Sequence, residues 1–300
     1  MVAVEAYGRS TVLIGPDRGR YPDGNSLLVR GSEQTVLVDP SLGVRGRRAE
    51  LEEVDWCLLS HCHEDHIAGL DLFGDRPFRL HEADAPGIRS LEALLAIYGF
   101  PPEIEAPFAE VLTGQFHYRP RSDAETFVDG AVFDLGGVRV RVVHSPGHTR
   151  GHCCFLIEDA GDEGPLLYLG DIDLSSFGPY YGDAWSDLED FERSLALVRD
   201  IEARWYATFH HIGVLEREAF LERLDRFEAV IASREQRLLE YLAEPRTLGE
   251  IATHRFVYRP QDEVPFAEAV ERRSMGQHLA RLERQGRVNQ PEPGRFQAAA

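Results

Sequence analysis

Residues 55–70, DWCLLSHCHEDHIAGL, run from an apolar strand into a cluster of metal-type ligands. The strand ends at Leu59 and delivers His61, Cys62, His63, Glu64, Asp65 and His66; a helix with apolar Ile67 and Leu70 follows. In extended chain alternate side chains share a face, so His61 and His63 point together while Cys62 and Glu64 point away. At the turn into the helix, Asp65 and His66 swing toward the same centre. Three imidazoles and a carboxylate within six residues suit Zn2+ or a similar borderline metal. A charged surface run would also carry Asp and Glu, but three histidines at i, i+2 and i+5 behind a buried strand fit that reading poorly.

The same arrangement recurs downstream. Val140–Val143 is a strand followed by His144-Ser-Pro-Gly-His148-Thr-Arg-Gly-His152, and Pro146 and Gly147 force a tight turn that presents His148. Leu166–Gly170 delivers Asp171, and Trp205–Phe209 delivers His210 and His211. An apolar strand ending in a metal-type ligand thus occurs four times, as in α/β sites whose ligands sit on loops at one end of a sheet. His144 and His152 read as structural, one ending a strand and the other beginning one.

These motifs resemble the metallo-β-lactamase superfamily: HCHEDH at 61–66, SPGHTRGH at 145–152, LGD at 169–171 and FHHIGVL at 209–215. The resemblance covers about residues 1–215 and implies a glyoxalase II-like, dinuclear αββα four-layer sandwich. By position, His61, His63 and His148 would hold the first metal. Asp65, His66 and the last histidine would hold the second, and Asp171 would bridge the two. Family members usually show one terminal histidine; here there are two, and the HIGVL ending favours His211 over His210. Asp39, in VLVDPSLG, resembles the family's strand-end Asp and reads as a hydrogen-bonder to the ligands or their turn. The implied cofactor is two divalent ions, Zn2+ first and Fe or Mn next. The implied chemistry is attack by metal-bound hydroxide, with Asp65 orienting it and shuttling a proton.

Composition agrees. All 32 basic residues are Arg, which excludes Schiff-base, Walker-type and Ser-Lys chemistry. The net charge of −19 argues against a general grip on phosphate backbones. It is unevenly spread: residues 233–300 hold 11 Arg against 10 acidic residues, net +1, leaving −20 on residues 1–232. Cys57, Cys62, Cys153 and Cys154 form no CxxC pair and read as reduced thiols. MVAVEAYGRS lacks the pattern of a signal peptide, and no apolar run approaches 18 residues, so a cytoplasmic protein without a membrane span is expected.

Short β-rich runs alternate with loops and helices up to about residue 210. The strands expected are Ser26–Arg30, Thr35–Asp39, Asp55–Ser60, Val138–His144, Cys153–Ile157 and Pro165–Gly170. Helical periodicity covers Glu82–Tyr98, Leu188–Ile201 and Arg217–Leu242. The stretch Gly114–Asp129 has little pattern, and its Phe116, His117 and Tyr118 suggest a lid. Phe177, Tyr180, Tyr181 and Trp185, in the Gly/Pro loop after Asp171, suggest an apolar substrate wall, with Arg150 a candidate for an anionic group.

We divide the chain into a catalytic domain at 1–232 and a C-terminal domain at 233–300. The latter is mostly helical after Pro245: Thr247-Leu-Gly-Glu250 is a capping box, Phe266–Gln285 a longer helix, and Gly286–Phe296 a β-ribbon. HLARLERQGRV resembles winged-helix domains. Its near-neutral charge favours a packing or homodimerisation module over nucleic-acid binding. The expected function is a metallo-hydrolase of a small ester, thioester or lactone. The rivals are a phosphodiesterase or ribonuclease, a mononuclear-iron sulfur dioxygenase, and a metal-sensing nucleic-acid-binding regulator. A true β-lactamase is disfavoured, because those enzymes are exported and lack the bridging Asp.

Overall fold

A computed structural model describes residues 4–159, 161 and 164–299; the first three residues of MVAVEAYGRS lie outside that range. An antiparallel meander opens the chain: β1 (Val4–Tyr7), β2 (Ser10–Leu13), β3 (Ser26–Arg30) and β4 (Thr35–Val38). After α1 (Arg48–Glu52), β5 (Trp56–Leu58) pairs parallel with β4. Next come α2 (Glu64–Ile67), β6 (Phe78–His81), α3 (Ala85–Arg89), α4 (Leu91–Tyr98), α5 (Pro102–Gly114) and β7 (Glu125–Phe127). The first sheet therefore runs β1 to β7 in chain order.

The second sheet takes β8 (Val132–Asp134), β9 (Val138–His144), β10 (Cys153–Asp159) and β11 (Leu166–Tyr168). After α6 (Leu188–Asp200) it gains β12 (Trp205–Ala207), parallel to β11, and β13 (Val214–Glu216). α7 (Arg217–Tyr241) follows and runs unbroken through residues 232 and 233. The remainder is β14 (Arg246–Thr247), α8 (Leu248–His254), α9 (Ala267–Arg284), β15 (Val288–Glu292) and β16 (Arg295–Ala298), whose strands form a small sheet ordered β14-β16-β15.

Side-chain patterning explains the layers. In β9, Val138, Val140 and Val142 are buried while Arg139 is exposed and Arg141 half-buried, the period of two of a strand with one face on a core. Those valines join Leu27, Val36, Leu58, Phe155 and Tyr168 in an apolar layer shared by both large sheets. On the first sheet's other face, Leu28, Leu37 and Phe78 pack with Ile88, Leu94 and Leu112 of α3, α4 and α5. On the second sheet's other face, Leu167 and Tyr206 pack with Phe191 and Phe220 of α6 and α7. Helices thus cover the outer face of each sheet. A further cluster joins Leu238 of α7, Ile251 of α8, Met275 and Leu279 of α9, and Val288. All four cysteines are buried, and none is in a disulfide. No helix among the described residues is long and apolar enough to cross a membrane.

Three local expectations change. The helix anticipated over Glu82–Tyr98 is broken at Ser90, whose extended backbone places Oγ to accept from Ala93 N (3.1 Å) and cap α4. α5 occupies Pro102–Gly114, for which no element was expected, with Pro107 inside it. Beyond it Phe116 and Tyr118 are buried rather than lid-like, and Tyr118 Oη donates to Gly87 O (2.8 Å). The segment after Pro245 holds two features not anticipated: β14 precedes α8, and a loop at 255–266 separates α8 from α9.

His81, at the end of β6, stacks on His144 with centroids 4.1 Å apart. Burial first, and then the neighbouring imidazole, lower its pKa from 6.5 to about 4. Between those values the unfolded chain takes up a proton that the folded chain refuses, so this site removes stability as pH falls from 6.5 toward 4. Urea midpoints at pH 7.5 and 5.0 are expected to differ less in His81→Asn than in the unaltered protein. An equal drop in both would discount the His81 contribution.

Candidate metal centre

The site forms where strands of both sheets end. β5 runs into Ser60–His63, and α2 begins at Glu64 with Asp65 and His66 in its first turn. β9 and β10 flank the turn carrying His148; there Gly147 has φ +125°, and a Cβ on it would lie 2.2 Å from Phe191 N. Only glycine fits that backbone and that approach. β11 leads to Asp171 and β12 to His210.

Two clusters of donor atoms result: His61, His63, His148 and Asp171 in one, Asp65, His66 and His210 in the other. Asp171 faces both. Its Oδ2 lies 3.1 Å from His148 Nε2 and 3.9 Å from His61 Nε2. Its Oδ1 lies 2.9 Å from His66 Nε2 and 3.8 Å from His210 Nε2. Asp65 Oδ2 is 3.0 Å from His210 Nε2.

Outer contacts assign the tautomers. His148 Nδ1 donates to Tyr180 O (3.0 Å), and His210 Nδ1 donates to Gly19 O (2.7 Å). His66 Nδ1 meets Asp39 Oδ2 (2.8 Å). Ser60 Oγ donates to Asp39 Oδ2 (2.6 Å) and is left to accept from His61 Nδ1 (3.0 Å). Carbonyls and carboxylates accept only, so each of these rings, when neutral, presents a bare nitrogen inward. His63 Nε2 lies 3.1 Å from Asp183 Oδ2, and its Nδ1 is the atom that faces His148.

His63 Nδ1 and His148 Nε2 lie 2.9 Å apart, close enough for both to address one cation. His61 Nε2, His66 Nε2 and Asp171 Oδ1 are buried with no hydrogen-bond partner. Such orphaned atoms are costly unless something satisfies them. The donor set, imidazoles plus carboxylates, fits a divalent borderline metal.

Electrostatics point the same way. Burial holds His61 well below its ordinary pKa, reinforced by His66 and His63, so it stays neutral. Burial alone would raise Asp171, but His66 and His148 bring it well below the usual carboxylate range; His66 and His210 likewise keep Asp65 low. In the metal-free chain His63 and His210 rise to about 9, burial being outweighed by Asp183 for the first and by Asp171 and Asp65 for the second.

His211, which the HIGVL ending favours, lies outside both clusters, and His210 takes the place. His211 has φ +60°, and the turn is tied by Thr208 Oγ1 donating to His210 O (2.8 Å) and by Ile212 N donating to the same oxygen (2.7 Å). The left-handed residue turns the chain, so consecutive side chains diverge. His210→Ala is expected to lose about one ion per chain on metal analysis and His211→Ala none; the reverse pattern would reassign the ligand.

Asp39, 0% exposed, accepts from Ser60 N (2.7 Å), Ser60 Oγ, His66 and Tyr168 Oη (2.9 Å), the supporting position anticipated for it. His152 Nδ1 is bonded to Ser145 O (2.9 Å), and its Nε2 accepts from Asp171 N (3.1 Å). Of the residues expected on a substrate wall, the Tyr180 ring lies 5.8 Å from that of His148, and Phe177, 37% exposed, lies near Tyr180. Tyr181 is buried and bonded to His278 (2.9 Å), turned away from the centre. Arg150 sits over the Trp185 ring (4.6 Å).

Sequence reasoning did not single out several neighbours. Glu64, expected to point away, is buried and accepts from Tyr21 Oη (2.9 Å) and Tyr98 Oη, and Tyr98 stacks on His63 (5.2 Å). Asp183, Gly19 O and Tyr180 O hold ligand rings, and two of these are backbone atoms that no side-chain pattern encodes.

A family model described as the metallo-beta-lactamase superfamily matches residues 20–229. An uncharacterized protein of Mycobacterium tuberculosis is 30% identical over 154 residues, 48% of this chain and 65% of that one. An acyl-coenzyme A thioesterase of Homo sapiens is 30% identical over 173 residues, 51% and 60%. A hydroxyacylglutathione hydrolase of Acidiphilium cryptum is 32% identical over 145 residues, 46% of each. The chain thus spans 46 to 65% of the length of these curated relatives. A crystal structure of a protein from Thermus thermophilus superposes with a TM-score of 0.70 at 27% identity, covering 97% of this chain and 99% of that one.

Proposed function

Because the chain belongs to the metallo-beta-lactamase superfamily, we propose that it is a dinuclear metal-dependent hydrolase whose substrates are small thioesters, with esters and lactones next. The observation that carries the dinuclear reading is Asp171, whose two oxygens each address a different histidine cluster. Thioesters come first because two relatives are named as an acyl-coenzyme A thioesterase and a hydroxyacylglutathione hydrolase.

His61, His63, His148 and Asp171 would hold one ion; Asp65, His66, His210 and Asp171 the other. Bound there, two divalent ions would polarise the substrate carbonyl and lower the pKa of water to about 7. The chain's own residues do the rest. Asp65, kept ionised by His66 and His210, orients the attacking water at its carboxylate and carries a proton toward the leaving thiolate. The Tyr180 and Phe177 rings flank the acyl group. Residues 233–300 we read as a winged-helix-like extension that packs on the catalytic domain. The −20 on residues 1–232 disfavours phosphodiester backbones.

The test is metal-reconstituted protein offered acyl-coenzyme A and acyl-glutathione thioesters, p-nitrophenyl esters, lactones and bis-p-nitrophenyl phosphate. Thiol release from the thioesters is expected to exceed every other turnover. Turnover of the phosphodiester alone would replace this reading with the phosphodiesterase one.

A further inference from the structure

The loop from Phe177 to Asp183 supplies outer partners to two rings of one histidine cluster. Tyr180 O accepts from His148 Nδ1 (3.0 Å), and Asp183 Oδ2 lies 3.1 Å from His63 Nε2. Asp183 is 2% exposed, and its other oxygen accepts from Tyr180 Oη (3.0 Å).

The loop has no strand ladder of its own, so its buried carbonyls need other donors. Those come from the C-terminal helices. Arg234 of α7, 2% exposed, donates to Pro179 O (2.6 Å) and Phe177 O (2.7 Å). From α9, Gln277 Nε2 donates to Tyr181 O (2.9 Å) and Arg273 to Gly182 O (3.2 Å). Tyr181 Oη is bonded to His278 Nε2 (2.9 Å). Gly182 lies so close to α9 that a Cβ there would meet Val270 Cγ1 at 2.3 Å. The carbonyls of residues 177, 179, 181 and 182 thus face the C-terminal helices, and that of Tyr180 is left facing His148.

We propose that α9 orients His63 and His148 for metal binding by fixing the loop that carries the Tyr180 carbonyl and the Asp183 carboxylate. Gln277 and Arg273 are then positioning residues that touch neither metal nor substrate. The inference rests on the metal-centre reading and is independent of the substrate. Metal-ligating imidazoles are held by such outer contacts, whose loss weakens metal affinity by about 10- to 100-fold.

The experiment is a Co2+ titration of the metal-free full chain, followed by its visible spectrum and by chelator competition. The variants are Asp183→Asn, Gln277→Glu and Arg273→Met. Gln277→Glu keeps the acceptor that Leu188 N uses (2.6 Å) while removing the donor to Tyr181 O. If it does not fold by circular dichroism, Arg273→Met carries the test. One of two Co2+ equivalents is expected to bind about 10- to 100-fold more weakly, with an altered spectrum, in each folded variant. Wild-type affinity and spectrum in Asp183→Asn overturn the inference, and so do both in the α9 variants even if Asp183→Asn is weakened. An unaltered protein that takes up no Co2+ overturns the metal-centre reading itself.

Discussion

Replacing Asp171 with alanine is expected to lower kcat on any hydrolysed substrate by at least about 10³-fold and to reduce bound metal below two ions per chain. The carboxylate lies within 3.1 Å of His148 in one cluster and 2.9 Å of His66 in the other, so its loss removes a donor from both at once. Metal ions contribute several kcal/mol of transition-state stabilisation. About 4 kcal/mol corresponds to the expected factor, at tenfold per 1.36 kcal/mol. Asp171→Asn keeps the shape and one acceptor but not the charge, so it is expected to fall between alanine and the unaltered protein. Steady-state rates at saturating metal, paired with metal analysis, check both variants. An Asp171→Ala protein within tenfold of normal turnover and holding two ions would remove Asp171 from the bridging role.

Glu271→Ala is expected to be the most destabilising single change in the C-terminal segment. Glu271 sits on α9 with 0% exposure. Its carboxylate accepts three backbone N–H groups: Phe256 (2.9 Å), Val257 (2.9 Å) and Tyr258 (2.8 Å). Truncation orphans these donors, each costing about 1–3 kcal/mol where buried. A loss of roughly 3 kcal/mol or more follows, a fall in Tm on the order of 5–10 °C. Glu271→Gln retains one oxygen and turns an amide N–H toward a donor, so a smaller loss is expected. Calorimetry distinguishes these outcomes, and a shift of less than about 2 °C for alanine would show that the loop finds other partners. The loop also places Tyr258 against Phe177 (5.6 Å), so loosening it is expected to disturb the aromatic wall beside the centre.

Much of the centre was legible because its candidate donor residues sit on or beside strand ends. HCHEDH follows β5, SPGH turns on a glycine with φ +125°, and Asp171 closely follows β11, so local spacing suffices to nominate them. The strands β3 and β9 have the bounds that alternation and apolar runs predict, and α6 and α7 end within one residue of expectation. What failed locally failed for local reasons. Ser90 ends one helix and caps another inside what reads as a single periodic stretch, and the α5 segment mixes prolines with a weak apolar stripe.

The sequence by itself nominated the candidate donor residues. Without lysine, and with histidines and aspartates at four strand ends, the chain offers imidazoles and carboxylates that could hold a metal before any packing is known. The tertiary structure places His210, and not His211, beside Asp65 and His66, because the backbone sign at residue 211 depends on a turn held by Thr208 and Gly213. It also decided which atoms hold the ligand rings. Gly19 O and Tyr180 O lie 191 and 32 residues from the histidines they fix, and they are backbone groups with no residue code. Asp183 is one aspartate among many in the sequence. Its burial beside His63, in a loop whose carbonyls are paired by α7 and α9, exists only once the C-terminal helices have packed.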